Sequence, residues 1–309
     1  MKVTWQGVYP AITTKFTKDD RLDLDTFEKN VRAQIKAGID GIILGGSLGE
    51  ASSLDTKEKE ILVKHTLQLT SDKIPVILNI AEQTTESAVQ QAKNAEKWGT
   101  DGIMILPPMR YKATDDETVT YFKTVAAATS LPIMIYNNPI DYGINVSLEM
   151  FEDLAAHDNI QAIKDSSRDV TNITKLINRF GDRYKVLSGV DTLALENMIM
   201  GADGWVAGLC CAFPEETVAL YRLVLANQIP EAVAIYRWFL PLLELDVSPQ
   251  LVQNIKLAEV ATGLGTEHVR KPRKPLSGKE RKRVQKIIND GLASRPTLPN
   301  YLEFQTVSV

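Results

Sequence analysis

The feature that constrains this chain most is a rhythm. Eight times over residues 8–226, a short apolar run is followed by a segment with apolar residues at helical spacing. The apolar runs end near residues 16, 44, 79, 105, 136, 164, 188 and 207. Strands covered by helices on their faces read as near-continuous apolar runs, and regular strand–helix alternation builds a parallel sheet. Eight such units close a (β/α)8 barrel, a TIM barrel. An open, doubly wound sheet shares the local pattern. It would normally carry a glycine fingerprint for a dinucleotide, and this chain has none.

The intervening segments read as helices over 25–37, 56–70, 84–98, 116–128, 147–156, 171–180, 191–200 and 214–226. Asp25 is the expected cap of the first, with Phe27, Val31 and Ile35 along one face. After residue 226 the strand signal stops. Residues 230–245, 249–263 and 279–292 keep helical spacing. We therefore expect a barrel over 1–226 and an appended C-terminal helical region over 227–309, with Leu242, Leu243 and Leu245 in its core.

The reactive residues of such a barrel come from the carboxyl ends of its strands and the loops that follow. That rule selects Thr13, Thr14, Ser47, Leu48, Asn79, Pro107, Tyr136, Lys164, Ser188, Gly189 and Val206. The selection holds one amine, one phenol and several hydroxyls. Lys164 ends the apolar run 160–164. Burial lowers a lysine's pKa, and a neutral amine can attack a carbonyl to form a Schiff base. Lys164 is the candidate nucleophile, although a lysine after a strand is more often an ordinary solvated loop residue.

Other chemistries find little support. His65, His157 and His268 are scattered, so neither a metal nor another cofactor is expected. A net charge of −4 gives no reason to expect nucleic acid, and the basic stretch over 270–286 reads as a solvated helix face. No apolar run of about 18 residues could span a bilayer, and the start of the chain lacks a signal-peptide core. Cys210 and Cys211 are adjacent and have no other cysteine to pair with. This suits a reducing, cytoplasmic setting.

Four motifs then fall in a telling order: Gly46-Ser47-Leu48-Gly49-Glu50, Tyr136-Asn137-Asn138-Pro139, Ile163-Lys164-Asp165-Ser166 and Ser188-Gly189-Val190-Asp191. In order and spacing the chain resembles the dihydrodipicolinate synthase and N-acetylneuraminate lyase family, from Gly7 to about Pro275. The resemblance implies a small 2-keto acid or cyclic imine as substrate and Lys164 as the residue that binds it covalently. It implies Tyr136 as general acid and base, and Ser47 as the hydroxyl that relays a proton to Tyr136. The backbone N–H groups of Ser47 and Leu48 would hold the substrate carboxylate. Gly189 and Val206 would line the pocket, Asn138 and Asp141 would flank the substrate, and Glu50 would be a partner of its own loop. A homo-dimer or homo-tetramer is implied as well.

Two departures narrow the expectation. Asp141 stands where the synthases carry an arginine that grips the second substrate's carboxylate, and an aspartate cannot pair with a carboxylate near neutral pH. Met109 stands where the synthases donate a tyrosine across a subunit contact, with Tyr111 two residues on. Residues 106–113, together with 136–139 and 204–209, resemble instead the branch containing 1-pyrroline-4-hydroxy-2-carboxylate deaminase, which acts in hydroxyproline breakdown. The expected reaction is thus deamination and dehydration of that imine to 2-oxoglutarate semialdehyde. A pyruvate-dependent aldolase or lyase, a synthase-like condensation, and a barrel that binds a keto acid without turnover are the alternatives.

Overall fold

The computed structural model describes residues 2–108 and 111–304. Its strands are β1 (Gly7–Pro10), β2 (Ile42–Leu44), β3 (Val76–Ile80), β4 (Gly102–Ile105), β5 (Ile133–Asn137), β6 (Ile160–Asp165), β7 (Lys185–Ser188) and β8 (Gly204–Ala207). Each pairs in parallel with its neighbours, and β8 returns to β1. A parallel bridge between Ala11 and Ile43 joins β1 to β2 and completes the ring. The fold is a (β/α)8 TIM barrel with additional C-terminal helices.

Between the strands run α1 (Leu24–Ala37), α2 (Thr56–Thr70), α3 (Thr85–Trp98), α4 (Asp115–Ala126), α5 (Pro139–Tyr142), α6 (Leu148–Leu154), α7 (Thr171–Phe180), α8 (Ala194–Ile199) and α9 (Pro214–Leu225). After the barrel come α10 (Ile229–Leu243), α11 (Leu251–Thr262) and α12 (Gly278–Ala293). Asp23, not Asp25, caps α1 by accepting a hydrogen bond from the Thr26 amide. Asp25 sits in the first turn, where its charge favours the helix dipole. Asp55 with Glu58, and Thr114 with Glu117, form capping boxes at α2 and α4.

Side chains alternate along the strands and sort into two cores. Ile43, Ile77, Met104, Met134, Ala162, Leu187 and Val206 fill the barrel interior with Trp5 and Tyr9. Their strand neighbours, such as Ile42, Ile103, Ile135 and Ile163, pack outward on the helices. Tyr136 lies two residues beyond Met134, and Lys164 two beyond Ala162. The pleat therefore turns both toward the interior, at the carboxyl end.

The first strand is shorter than the apolar run suggests. Beyond Ala11 the chain leaves the ladder, and Thr13, Thr14 and Lys15 make side-chain bonds instead. Thr13 Oγ1 and Lys15 Nζ donate to Glu259 Oε1 at 2.6 and 2.8 Å, and Thr14 Oγ1 to the Gly49 carbonyl at 2.7 Å. Glu259 belongs to α11, so the C-terminal helices reach the barrel's mouth. Lys256, one turn earlier, pairs with Glu50 at 2.6 Å, and neither side chain touches solvent. Leu242, Leu243 and Leu245 are buried, and Phe213 of the barrel packs edge-on against Phe239 of α10. Among the described residues no helix is long and apolar enough to cross a membrane.

Candidate active site

β5 and β6 are neighbours, and Tyr136 is paired in register with Lys164. The Lys164 Nζ lies 3.8 Å from the centroid of the Tyr136 ring. Lys164 is only 7% exposed, and among the described residues no acceptor lies within hydrogen-bond distance of its nitrogen. Burial holds its pKa below the ordinary lysine value, against the upward pull of Tyr142, Asp246, Asp191 and Asp141. The arrangement favours the neutral, nucleophilic amine.

Gly189 makes room for that side chain. A Cβ there would lie 2.2 Å from Ser166 Oγ and 2.8 Å from Lys164 Cε. Val206 faces the same interior from β8.

The Tyr136 hydroxyl accepts from the Asn138 amide at 3.0 Å. Burial pushes the phenol up to about 12, while hydrogen bonding from Asn138 and Ser166 pulls it back. In the free protein Tyr136 is therefore a proton donor. Asn138 also caps α5, the single turn that carries Asp141 and Tyr142.

That turn also brings a second phenol into the site. Ser47 Oγ hydrogen-bonds the Tyr142 hydroxyl, whereas the Tyr136 hydroxyl accepts from Asn138. The Tyr142 ring stands at 86° to that of Tyr136, with centroids 5.7 Å apart, and burial raises its pKa as well. Ser47 thus pairs with Tyr142, which is set edge-on against Tyr136, and among the described residues no direct bond joins Ser47 to Tyr136. Tyr111, considered as a substitute for the absent relay tyrosine, stands exposed, and Met109 lies outside the described residues. The amides of Ser47 and Leu48 have no acceptor among the described residues, which leaves two N–H donors for an anion.

The outer rim is acidic. Asp141 accepts from Asn138 Nδ2 at 2.7 Å and lies 3.8 Å from Arg168, both residues being about half-exposed. Asp191 is buried under the β8 loop and accepts from Trp205 Nε1 at 2.9 Å and from the Leu209 amide at 2.7 Å. Asp246, on the connection between α10 and α11, places its carboxyl against Gly208, where a Cβ would be 2.3 Å from Oδ1. Glu50 is fully buried, holding Lys256 and, at 3.1 Å, the Arg270 amide.

Sequence reasoning passed over Tyr142, Arg168 and Asp246. The cap at Asn138 and Pro139 was a usable signal for a helical turn ending at Tyr142. Asp246 had none, because it enters the site from a segment between appended helices.

A parallel barrel with a buried lysine laid on a tyrosine at its carboxyl mouth defines a class: the class I lyases, which work through a lysine Schiff base. Comparison with known proteins narrows the class. The profile of the dihydrodipicolinate synthetase family matches residues 4–290, and the chain belongs to that family. It is 34% identical to a 4-hydroxy-tetrahydrodipicolinate synthase of Exiguobacterium sibiricum, covering 88% of this chain and 92% of that one. It is 31% identical to 4-hydroxy-tetrahydrodipicolinate synthase 1 of Halalkalibacterium halodurans, over 91% and 96% of the two chains. A dihydrodipicolinate synthase structure from Bacillus anthracis superposes with a TM-score of 0.90 at 27% identity, covering 96% of this chain and all 100% of that one.

Proposed function

We propose that Lys164 captures C2 of a cyclic imine and that the enzyme dehydrates and deaminates 1-pyrroline-4-hydroxy-2-carboxylate. The observation that carries this reading is the acidic rim. By the resemblance Asp141 stands where the synthases carry an arginine, and Asp246 lies near enough to Asp141 for the two carboxyls to interact. A substrate with one carboxylate, held by the Ser47 and Leu48 amides, suits such a site better than a pair of substrates with two.

The steps use groups within reach. The Lys164 amine adds to C2, and the ring C2–N bond breaks with Tyr136 donating a proton to the departing nitrogen. An imine at C2 and a free amine at C5 result. The Tyr136 phenolate then takes a proton from C3, and the enamine electrons expel the C4 hydroxyl as water. The double bond migrates to give an imine at C5. Hydrolysis at C5 releases ammonia, and hydrolysis at C2 frees Lys164 and 2-oxoglutarate semialdehyde. Two waters enter and one leaves.

Incubation with the hydroxylated imine should release ammonia in step with the semialdehyde. Absence of ammonia rejects the reading. A second reading, condensation of pyruvate with an aldehyde, is favoured by the 34% identical relative that bears a synthase name. Consumption of pyruvate and an aldehyde, with no ammonia from the imine, would select it. Exposed Tyr111 and Ile140 support assembly as a homo-dimer or homo-tetramer, which sedimentation would measure.

A further inference from the structure

We propose that Asp246 is a specificity-determining residue, which accepts a hydrogen bond from a hydroxyl on the substrate carbon two bonds beyond the imine carbon. The inference rests on the reading that Lys164 forms the imine, and it adds the group that recognises the far end of the substrate.

Three observations support it. First, Asp246 belongs to the connection between α10 and α11, yet its carboxyl lies against the backbone of Gly208, just beyond β8. A side chain from the appended helices has thereby entered the barrel's mouth. Second, it lies near enough to both reactive groups that its ionised form would raise the pKa of Lys164 and of Tyr136. Third, among the described residues no donor lies within hydrogen-bond distance of this carboxyl. That leaves its oxygens open to a donor brought in by a ligand at the mouth.

The surrounding charges bear on which ligand it can take. Asp246 faces Asp191 across the β8 loop, Lys164 on β6, Asp141 on α5 and Arg168 after β6. Burial and the two aspartates push its own pKa well up, and Lys164 and Arg168 offset this only in part. Arg168 is already the neighbour of Asp141 at 3.8 Å. A donor supplied by the substrate would satisfy the unpartnered carboxyl, whereas a substrate carboxylate in its place would be the fourth carboxyl beside Asp246, Asp191 and Asp141. The chemical class that fits is a 2-keto acid or cyclic imine with a hydroxyl at C4.

The test uses trapping and does not depend on turnover. Purified enzyme is titrated with 4-hydroxy-2-oxobutanoate or with 2-oxobutanoate, reduced with borohydride, and the labelled fraction read by mass spectrometry. The wild type should half-saturate at about tenfold lower concentration of the hydroxylated acid, the worth of one good hydrogen bond. Asp246→Ala should lose that preference, and Asp246→Asn should keep only part of it. Taking the ratio of the two acids cancels any general loss of imine formation. Equal half-saturation by the wild type, or an undiminished ratio in Asp246→Ala, would overturn the assignment. Should the alanine variant fail to fold, the wild-type ratio and the asparagine variant still decide it. A wild type that prefers the hydroxylated acid but releases no ammonia from the cyclic imine would refute the deaminase reading and leave Asp246 in its role.

Discussion

The Lys164 amine sits 3.8 Å from the centre of the Tyr136 ring because their strands are adjacent and the two residues are register partners. A protonated lysine there has the ring face and distant carboxylates for company, and no hydrogen-bond acceptor among the described residues. The cost of that environment is what makes the amine available for attack.

The pH dependence of imine formation follows from it. Because burial lowers the pKa of Lys164, the amine is deprotonated at lower pH than free lysine. The rate of borohydride-trappable imine formation with pyruvate should rise with pH through a midpoint below the ordinary lysine value of about 10.4. Lys164→Ala should form no trapped adduct. A midpoint at or above the ordinary value would contradict the assignment.

Stability should respond with a defined sign. Between the lowered folded pKa and the unfolded one, the unfolded chain binds more protons, so stability rises with pH across that window. Lys164→Met should therefore stabilise the protein near neutral pH, with the gain shrinking as pH approaches the unfolded value of about 10.4. Denaturant titrations of both proteins over pH would measure this. A gain that grows with pH would refute it.

Tyr142→Phe separates the two phenols. It deletes the bond to Ser47 while keeping the ring against Tyr136. Turnover should fall by about 10- to 100-fold, less than the roughly 10²–10⁴-fold expected for Tyr136→Phe, the residue nearer the imine. Steady-state kinetics of both variants would show the order, and a harmless Tyr142→Phe would remove the Ser47–Tyr142 pair from the mechanism.

Gly189→Ala should disable the site with little change to the barrel. The added methyl meets Ser166 Oγ and Lys164 Cε at 2.2 and 2.8 Å, so the lysine must leave its position over Tyr136. Imine formation should slow by at least about tenfold, while the far-ultraviolet circular dichroism stays native, overpacking of this kind costing about 1–3 kcal/mol. An unimpaired trapping rate would show that the lysine does not lie along Gly189.

Glu50→Gln probes the support of the Ser47 loop. It leaves Lys256 buried without its ion-pair partner, and such single deletions cost about 3–5 kcal/mol. Lys256, held at about 8 by burial in the intact protein, should then deprotonate more readily. The double variant Glu50→Gln, Lys256→Met should recover much of the loss in denaturant titration. Additive losses would mean that the pair is not coupled.

Much of this architecture could be read along the chain. Covered parallel strands are apolar throughout, so all eight were visible as runs, and helical spacing marked the segments between them. The misplaced details have local causes. The run 8–16 looked like one strand because Thr13, Thr14 and Lys15 are as buried as strand residues, but through bonds to Glu259 and Gly49 that lie 246 and 35 residues from their donors. Asp25 looked like a cap because Asp23 and Asp25 are both suitable, and only the Thr26 amide bond distinguishes them.

What the sequence by itself determined is the barrel and the pairing of Lys164 with Tyr136, since strand order and a period of two dictate which residues share an interior end. Only the tertiary structure decided that Ser47 meets Tyr142 and that Asp246 enters the mouth from the appended helices. Those contacts join residues 95 positions apart in one case and bring an outlying connection onto Gly208 in the other. Local propensity and periodicity act over a few residues, whereas such meetings are set by how whole elements pack.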